Sequence, residues 1–165
     1  MLRLLTLMLF SLLFASEFMR EVVRELVKEL PLEQAVKVGS GERELIVFMN
    51  PDCPHCRKEW AELRKHLDEL KLFVFLVPFK GWGEENARKV YFVLCSDEPA
   101  EALDAVLTGK LDGKVPPVEP CERVEAHLKA ARIVGLEGVP YNILPQEGRI
   151  IEGASEELYR LLGLR

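Results

Sequence analysis

The sequence predicts an α/β fold, on two observations. Two short, continuous apolar runs, ELIVFM (44–49) and LFVFLVPF (72–79), flank a stretch of helical periodicity, the signature of a right-handed parallel βαβ unit. Near the far end, GVPYNILPQEGRIIEG (138–153) reads as two short strands about a turn at 146–148, and a further helix follows. With 165 residues, 48% of them apolar and 30% charged, the chain suits one folded domain with a proper core. The net charge of −5 is spread without a block of like charge, and no basic concentration marks a nucleic-acid footprint.

Residues 1–16, MLRLLTLMLFSLLFAS, differ in kind from the rest. One Arg precedes an apolar run from Leu4 to Ala15 broken only by Thr6 and Ser11. The run is short for a bilayer span, which needs about 20 residues, and has the order of a secretory signal, or of an anchor if uncleaved. Residues 17–42 form an N-terminal helix and linker. Met19, Val23, Leu26 and Leu30 make one helical stripe closed by Pro31, and 31–42 connects it to the domain.

The domain proper is expected over 43–165. After the first apolar run, 53–70 forms a helix with Trp60, Leu63, Leu67 and Leu70 inward and Pro54 in its first turn. The second run closes the βαβ unit. A helical insert at about 84–120 contains two helices and the Pro-rich loop 112–120. A helix from Cys121 to about 135 then carries Val124, Leu128 and Ala131 on one side. After the strand pair, Ser155 caps a last helix with Leu158, Leu161 and Leu162 inward.

The chemistry centres on NPDCPHC, residues 50–56. A helix beginning at Cys53 places that sulfur among unpaired N–H groups at the positive end of the helix dipole, which favours its thiolate. Cys56, one turn further in and more buried, is placed to close a disulfide with it, so Cys53 attacks and Cys56 resolves. His55 stands between them and offers the thiolate a hydrogen bond or positive charge. A C-x-x-C also supplies half of many zinc sites, but Cys95 and Cys121 have no Cys or His within four positions to form a second close pair. A redox pair, half a zinc site and a structural staple are the three readings of the motif. His66 and His127 read as solvated surface residues, Trp60 as core. Trp82 is a docking residue or a loop side chain folded back, and Tyr141 lines a groove or packs inward.

From ELIVFMNPDCPHCRKEW onward, over roughly 43–163, the chain resembles the catalytic domain of the DsbC/DsbG family of periplasmic disulfide isomerases. The likeness rests on the CxxC, LFVFLVPFKG, a cysteine in VYFVLC and another in VEPC, ARIVGLEGVPYNIL and EGRIIEG. It implies a thioredoxin-like fold with a helical insertion between its βαβ and ββα halves. It also implies a structural disulfide between Cys95 and Cys121, and a cis proline at Pro140 in the triplet Gly138–Val139–Pro140, facing the active-site sulfurs. On this resemblance the family's separate N-terminal dimerisation domain is expected to be missing. CPHC together with Val139, where those isomerases usually carry Thr, resembles DsbA-type disulfide donors.

The expected function is that of an exported, periplasmic thiol–disulfide oxidoreductase of the isomerase or interchange type. Its catalytic residues are Cys53, Cys56, His55 and Pro54, and Val139, Pro140 and Tyr141 bind substrate. A disulfide donor or a dedicated thiol reductase is the alternative within the class; a zinc-binding or disulfide-stapled binding domain is the alternative outside it. No metal or organic cofactor is required. The expected partners are unfolded or partly oxidised exported proteins and a membrane redox partner, with no nucleic acid. The chain is expected to be a monomer or a weak dimer through the N-terminal helix.

Overall fold

The computed structural model describes residues 2–164, with side chains described at Met8 and from residue 12 onward. A long helix α1 (Leu2–Glu29) leads into β1 (Val36–Val38), β2 (Arg43–Met49), α2 (Pro54–Leu63) and β3 (Leu70–Leu76). Then come α3 (Glu84–Leu94), α4 (Pro99–Leu107), α5 (Glu122–Ile133), β4 (Tyr141–Leu144), β5 (Arg149–Glu152) and α6 (Glu156–Leu161). The five strands form one sheet in the order β1-β3-β2-β4-β5. Only β2 and β3 run parallel, from Arg43 opposite Leu70 to Met49 opposite Leu76, and the other three pairings are antiparallel.

Both faces of the central strands are covered, which explains their unbroken apolar runs. Leu45, Val47 and Met49 of β2 and Leu72, Val74 and Leu76 of β3 pack with Trp60 and Leu63 of α2, Val90 and Val93 of α3, Leu103 of α4 and Leu158 of α6. The alternate residues Ile46, Phe48, Phe73 and Phe75 pack with Val23 of α1 and Ala130 of α5. Phe48 stacks on Phe75 at 4.9 Å between ring centroids. Trp60 is fully buried, as expected.

The cysteines at the ends of α3 and α5 are joined. Cys95 and Cys121 form a disulfide with 5.8 Å between Cα atoms, closing a loop that holds α4 and the Pro-rich segment.

Three expectations are corrected here. The helix expected over 53–70 ends at Leu63 and tightens into a 3₁₀ turn (Arg64–His66), whereas its periodicity runs on to Leu70. Pairing of Leu70 with Arg43 recruits that residue into β3, and the ladder overrides the local pattern. Residues 36–38, read as linker, form β1 on the edge of β3. Three residues are too few for an alternation to stand out. His127, read as solvated, is wholly buried: its Nδ1 accepts from the Leu76 N–H at 2.9 Å, and its Nε2 lies 2.9 Å from the Gln34 carbonyl oxygen. One ring thereby ties α5 to the end of β3 and to the segment before β1.

Between β1 and β2 the chain crosses the turn before β3 at its closest approach. A Cβ on Gly41 would lie 1.9 Å from the carbonyl carbon of Glu69, so only glycine fits. Hydrogen bonds from Ser40 N to Leu67 O and from Gly41 N to Leu70 O fasten the crossing at 2.8 and 3.0 Å.

Residues 2–16 of the expected leader and 17–29 of the expected helix lie in one continuous α1. Most leader side chains fall outside the described residues. Leu12, Leu13, Phe14 and Phe18 are exposed, Met19 of the expected stripe is partly so, and Val23 and Leu30 are buried. Among the described residues no helix is long and apolar enough to cross a membrane.

Candidate active site

The turn between β2 and α2 sets the site. Cys53 is the N-cap of α2, with extended backbone (φ −72°, ψ 118°), and Pro54 occupies the first turn. Its sulfur accepts from the Cys56 N–H at 3.4 Å, so a sulfur does here what a capping oxygen does elsewhere. The Cys53 N–H donates to the Asn50 carbonyl at 3.2 Å, which closes the turn.

Across from the helix start, the Cys53 thiol donates to the Val139 carbonyl at 3.5 Å. The Val139–Pro140 peptide bond is cis. Tyr141 follows at the head of β4, buried, with its ring edge-on to Phe48 at 5.9 Å. The structure thus brings Cys53, Cys56, Val139 and Pro140 together. His55 is exposed, and no hydrogen bond joins it to Cys53 among the described residues.

Both thiols are free; Cys53 is 5% exposed and Cys56 not at all. Burial pushes the Cys56 thiol up, and the neighbouring Cys53 sulfur and Glu59 carboxyl add to the rise. With Cys95 and Cys121 already joined, the zinc reading lacks ligands: no three His, Cys, Asp or Glu side chains converge on one point among the described residues.

Glu59 was not anticipated. It lies on the same face of α2 as Cys56 and Leu63, fully buried, and burial raises its carboxyl to about 8. Among the described residues its one partner is the Asn142 amide of β4, at 3.2 Å. The sequence held a signal: residue 59 falls on the inward stripe with Trp60 and Leu63, where a carboxyl is out of place.

A polar cluster holding the turn was also missed. Asn50 and Asn86 exchange amide hydrogen bonds at 2.9 and 2.8 Å, and Asn50 donates to Val77 O. Asp52 accepts from Asn86 at 2.7 Å and from the buried Lys89 of α3. Arg57 donates to Pro51 O and forks onto Asp112, both bonds at 2.7 Å. No single-sequence signal joins residues this far apart.

Trp82 is 46% exposed in the loop before α3 and leans on Phe79, with centroids 5.8 Å apart. His66 is partly covered and pairs with Glu69 at 3.1 Å.

A sheet with this strand order and a dithiol capping the first central helix define a thioredoxin-like protein. The family model described as a thioredoxin-like domain matches residues 30–161, and the chain belongs to that family. A probable thiol:disulfide interchange protein DsbC of Bordetella parapertussis is 30% identical over 123 residues, 73% of this chain and 42% of that protein. Its counterpart in Bordetella avium is 31% identical over 93 residues, 55% of this chain and 31% of that protein. The chain thus spans less than half the length of these curated relatives. Among solved structures, a disulfide interchange protein from Neisseria gonorrhoeae superposes with a TM-score of 0.66 at 28% identity, covering 82% of this chain and all of that one. The catalytic domain of Proteus mirabilis ScsC shares the fold, with a TM-score of 0.60 at 18% identity, over 79% of this chain and 88% of that one.

Proposed function

We propose that this protein is an exported thiol–disulfide oxidoreductase that exchanges disulfides with protein substrates through Cys53 and Cys56. The observation that carries the reading is the Cys53 sulfur at the N-cap of α2, with Cys56 beneath it and the Val139 carbonyl opposite. The names of the relatives and of the Neisseria structure agree with it.

In the oxidised-substrate direction, the Cys53 thiolate attacks one sulfur of a substrate disulfide. That bond breaks, a mixed disulfide forms, and the substrate's other sulfur leaves as a thiolate. Cys56 then loses its proton and attacks the Cys53 sulfur. The substrate is released with its second thiol, and the Cys53–Cys56 disulfide holds the two electrons' worth of oxidation. Run backward, the same steps oxidise a dithiol substrate. Burial keeps Cys56 a thiol until it is needed. Val139, Pro140 and Tyr141 present backbone to the substrate strand, and Pro54 starts the helix.

Trapping tests the reading. Cys56→Ser should accumulate mixed disulfides with exported proteins and Cys53→Ser none. Equal trapping by both variants would overturn the assignment. The reduction potential of the pair, measured against glutathione, then assigns the direction between isomerase and donor.

A further inference from the structure

Asp112 lies outside the dithiol and outside every element, in the loop between α4 and α5, yet it sits at the hub of the contacts that hold the turn before Cys53. Its carboxylate takes both prongs of the Arg57 guanidinium at 2.7 Å and the Lys89 ammonium at 2.6 Å. Arg57 is the residue after Cys56, and its Nε donates to the Pro51 carbonyl at 2.6 Å. Lys89, 3% exposed, donates in turn to Asp52, the residue before Cys53. Arg57 therefore grips Asp112 with its two terminal nitrogens and the turn with its Nε, while the single Lys89 ammonium bonds Asp112 and Asp52 at once.

An exposed ion pair alone contributes little to stability. This one is different in kind, because one cation is bidentate and the other is buried with, among the described residues, only carboxylates for partners. The pairing is reflected in the titration of both sides. The Arg57 fork holds the Asp112 carboxyl well below the usual carboxylate range, while Lys89 stays raised by Asp112 and Asp52 in spite of its burial. The approach is close: Gly109, at φ +77°, has room for a Cβ only 3.1 Å from the Asp112 carboxylate and 3.2 Å from Arg57.

We propose that Asp112 is a positioning residue for Cys53, holding the 50–53 turn through Arg57 and Lys89 so that the sulfur stays on the helix N-cap. The inference rests on the thiol–disulfide reading above for its catalytic consequence. Asp112 also lies inside the loop closed by Cys95 and Cys121, so the stapled insert contributes a carboxylate to the contacts that hold the dithiol turn.

The test uses the full chain with Asp112→Asn and Asp112→Glu. Asp112→Asn should raise amide hydrogen exchange at Asp52 and Cys53 on the order of tenfold and leave the β2 and β3 amides unchanged. It should lower kcat for disulfide exchange on the order of tenfold with KM unchanged, since a misplaced reacting group costs rate rather than binding. Asp112→Glu, which keeps the charge, should restore most of both. Exchange that rises equally in the strands, or a turn that loosens with no loss of kcat, overturns the proposal. Should Asp112→Asn fail to fold, Arg57→Lys keeps the charge without the fork and must show the same pattern at reduced size. If the turn loosens as expected but the unaltered protein exchanges no disulfides, the functional reading has failed and the positioning stands.

Discussion

Glu59 of α2 and Asn142 of β4 meet under the active site with one hydrogen bond made and two acceptors left over. The Asn142 amide donates to Glu59 Oε2 at 3.2 Å, while Glu59 Oε1 and Asn142 Oδ1, both buried, have no partner among the described residues. A neutral carboxyl, which carries a proton to donate, suits this surrounding better than a carboxylate.

Stability should accordingly depend on pH in a particular way. Glu59 is raised to about 8 from an unfolded value near 4.5, so the native state holds the extra proton between those values. Its contribution is full below pH 4.5 and falls as pH rises to 8. His127 acts with the opposite sign: burial lowers it to about 4, so stability is lost as pH falls from about 6.5 toward 4. The two slopes oppose each other between 4.5 and 6.5, and Glu59 acts alone from 6.5 to 8, a fall of about 2 kcal/mol at 1.36 kcal/mol per unit. We predict that Glu59→Gln removes the decline above pH 6.5 and raises stability there. Urea titrations at pH 6.5 and 8 check this, and equal decline in both proteins counts against it.

The His127 ring is predicted to be worth more to the fold than any other histidine here. His127→Ala leaves the Leu76 N–H and the Gln34 carbonyl unpaired and opens space beside Phe75, whose ring lies 5.0 Å away. A loss of about 2–4 kcal/mol is expected from the lost bonds and the cavity, against under 1 kcal/mol for His66→Ala. Denaturant midpoints of the two variants decide it.

Opening Cys95–Cys121 should cost about 3–4 kcal/mol on the chain-entropy account for a loop of 26 residues. We predict two stages of reduction, with mild dithiothreitol leaving this disulfide closed. Thiol counting by mass spectrometry follows both stages. Opening of this disulfide in the same stage as an oxidised Cys53–Cys56 pair contradicts the prediction.

His55→Ala and Val139→Thr should separate two properties. His55 is exposed at the start of α2 and makes no hydrogen bond to Cys53 among the described residues. We predict that its ring turns onto the reduced sulfur during exchange, so that its removal makes the pair less oxidising, where a tenfold change in equilibrium constant is about 30 mV. Val139 meets Cys53 through its carbonyl, which Thr retains. That variant should leave the potential nearly fixed and lengthen mixed disulfides through its added hydroxyl. Glutathione titration of both variants provides the comparison, and an unchanged potential in His55→Ala leaves the helix terminus as the sole influence.

Much of this was written in local pattern. The βαβ unit, the hairpin about 146–148 and the Ser155 cap follow from periodicity and turn chemistry, and the Ser155 hydroxyl does accept from Leu158 N at 3.3 Å. Cys53 and Cys56 announced themselves by spacing. Glu59 was legible in principle, as a charge on an apolar stripe. His127 and Asp112 were not, because each acquires its role from residues dozens of positions away, and an isolated charged side chain in a helix or loop reads as solvated. β1 was hidden by length: its place comes from β3, not from its own three residues.

The crossing at Gly41 bears on how the two central strands find their alignment. Alternation of apolar and polar side chains normally fixes which residue faces which, yet β2 and β3 are apolar on both faces and would bury much the same surface if slipped by one. A one-residue slip would bring Ser40 or Glu42, each with a Cβ, to the point where Gly41 now touches the Glu69 backbone. The glycine thus acts as an index mark: the ladder locks in the one alignment that seats it, and Met49 and the dithiol turn beyond it inherit their height on the sheet from a residue at the opposite end.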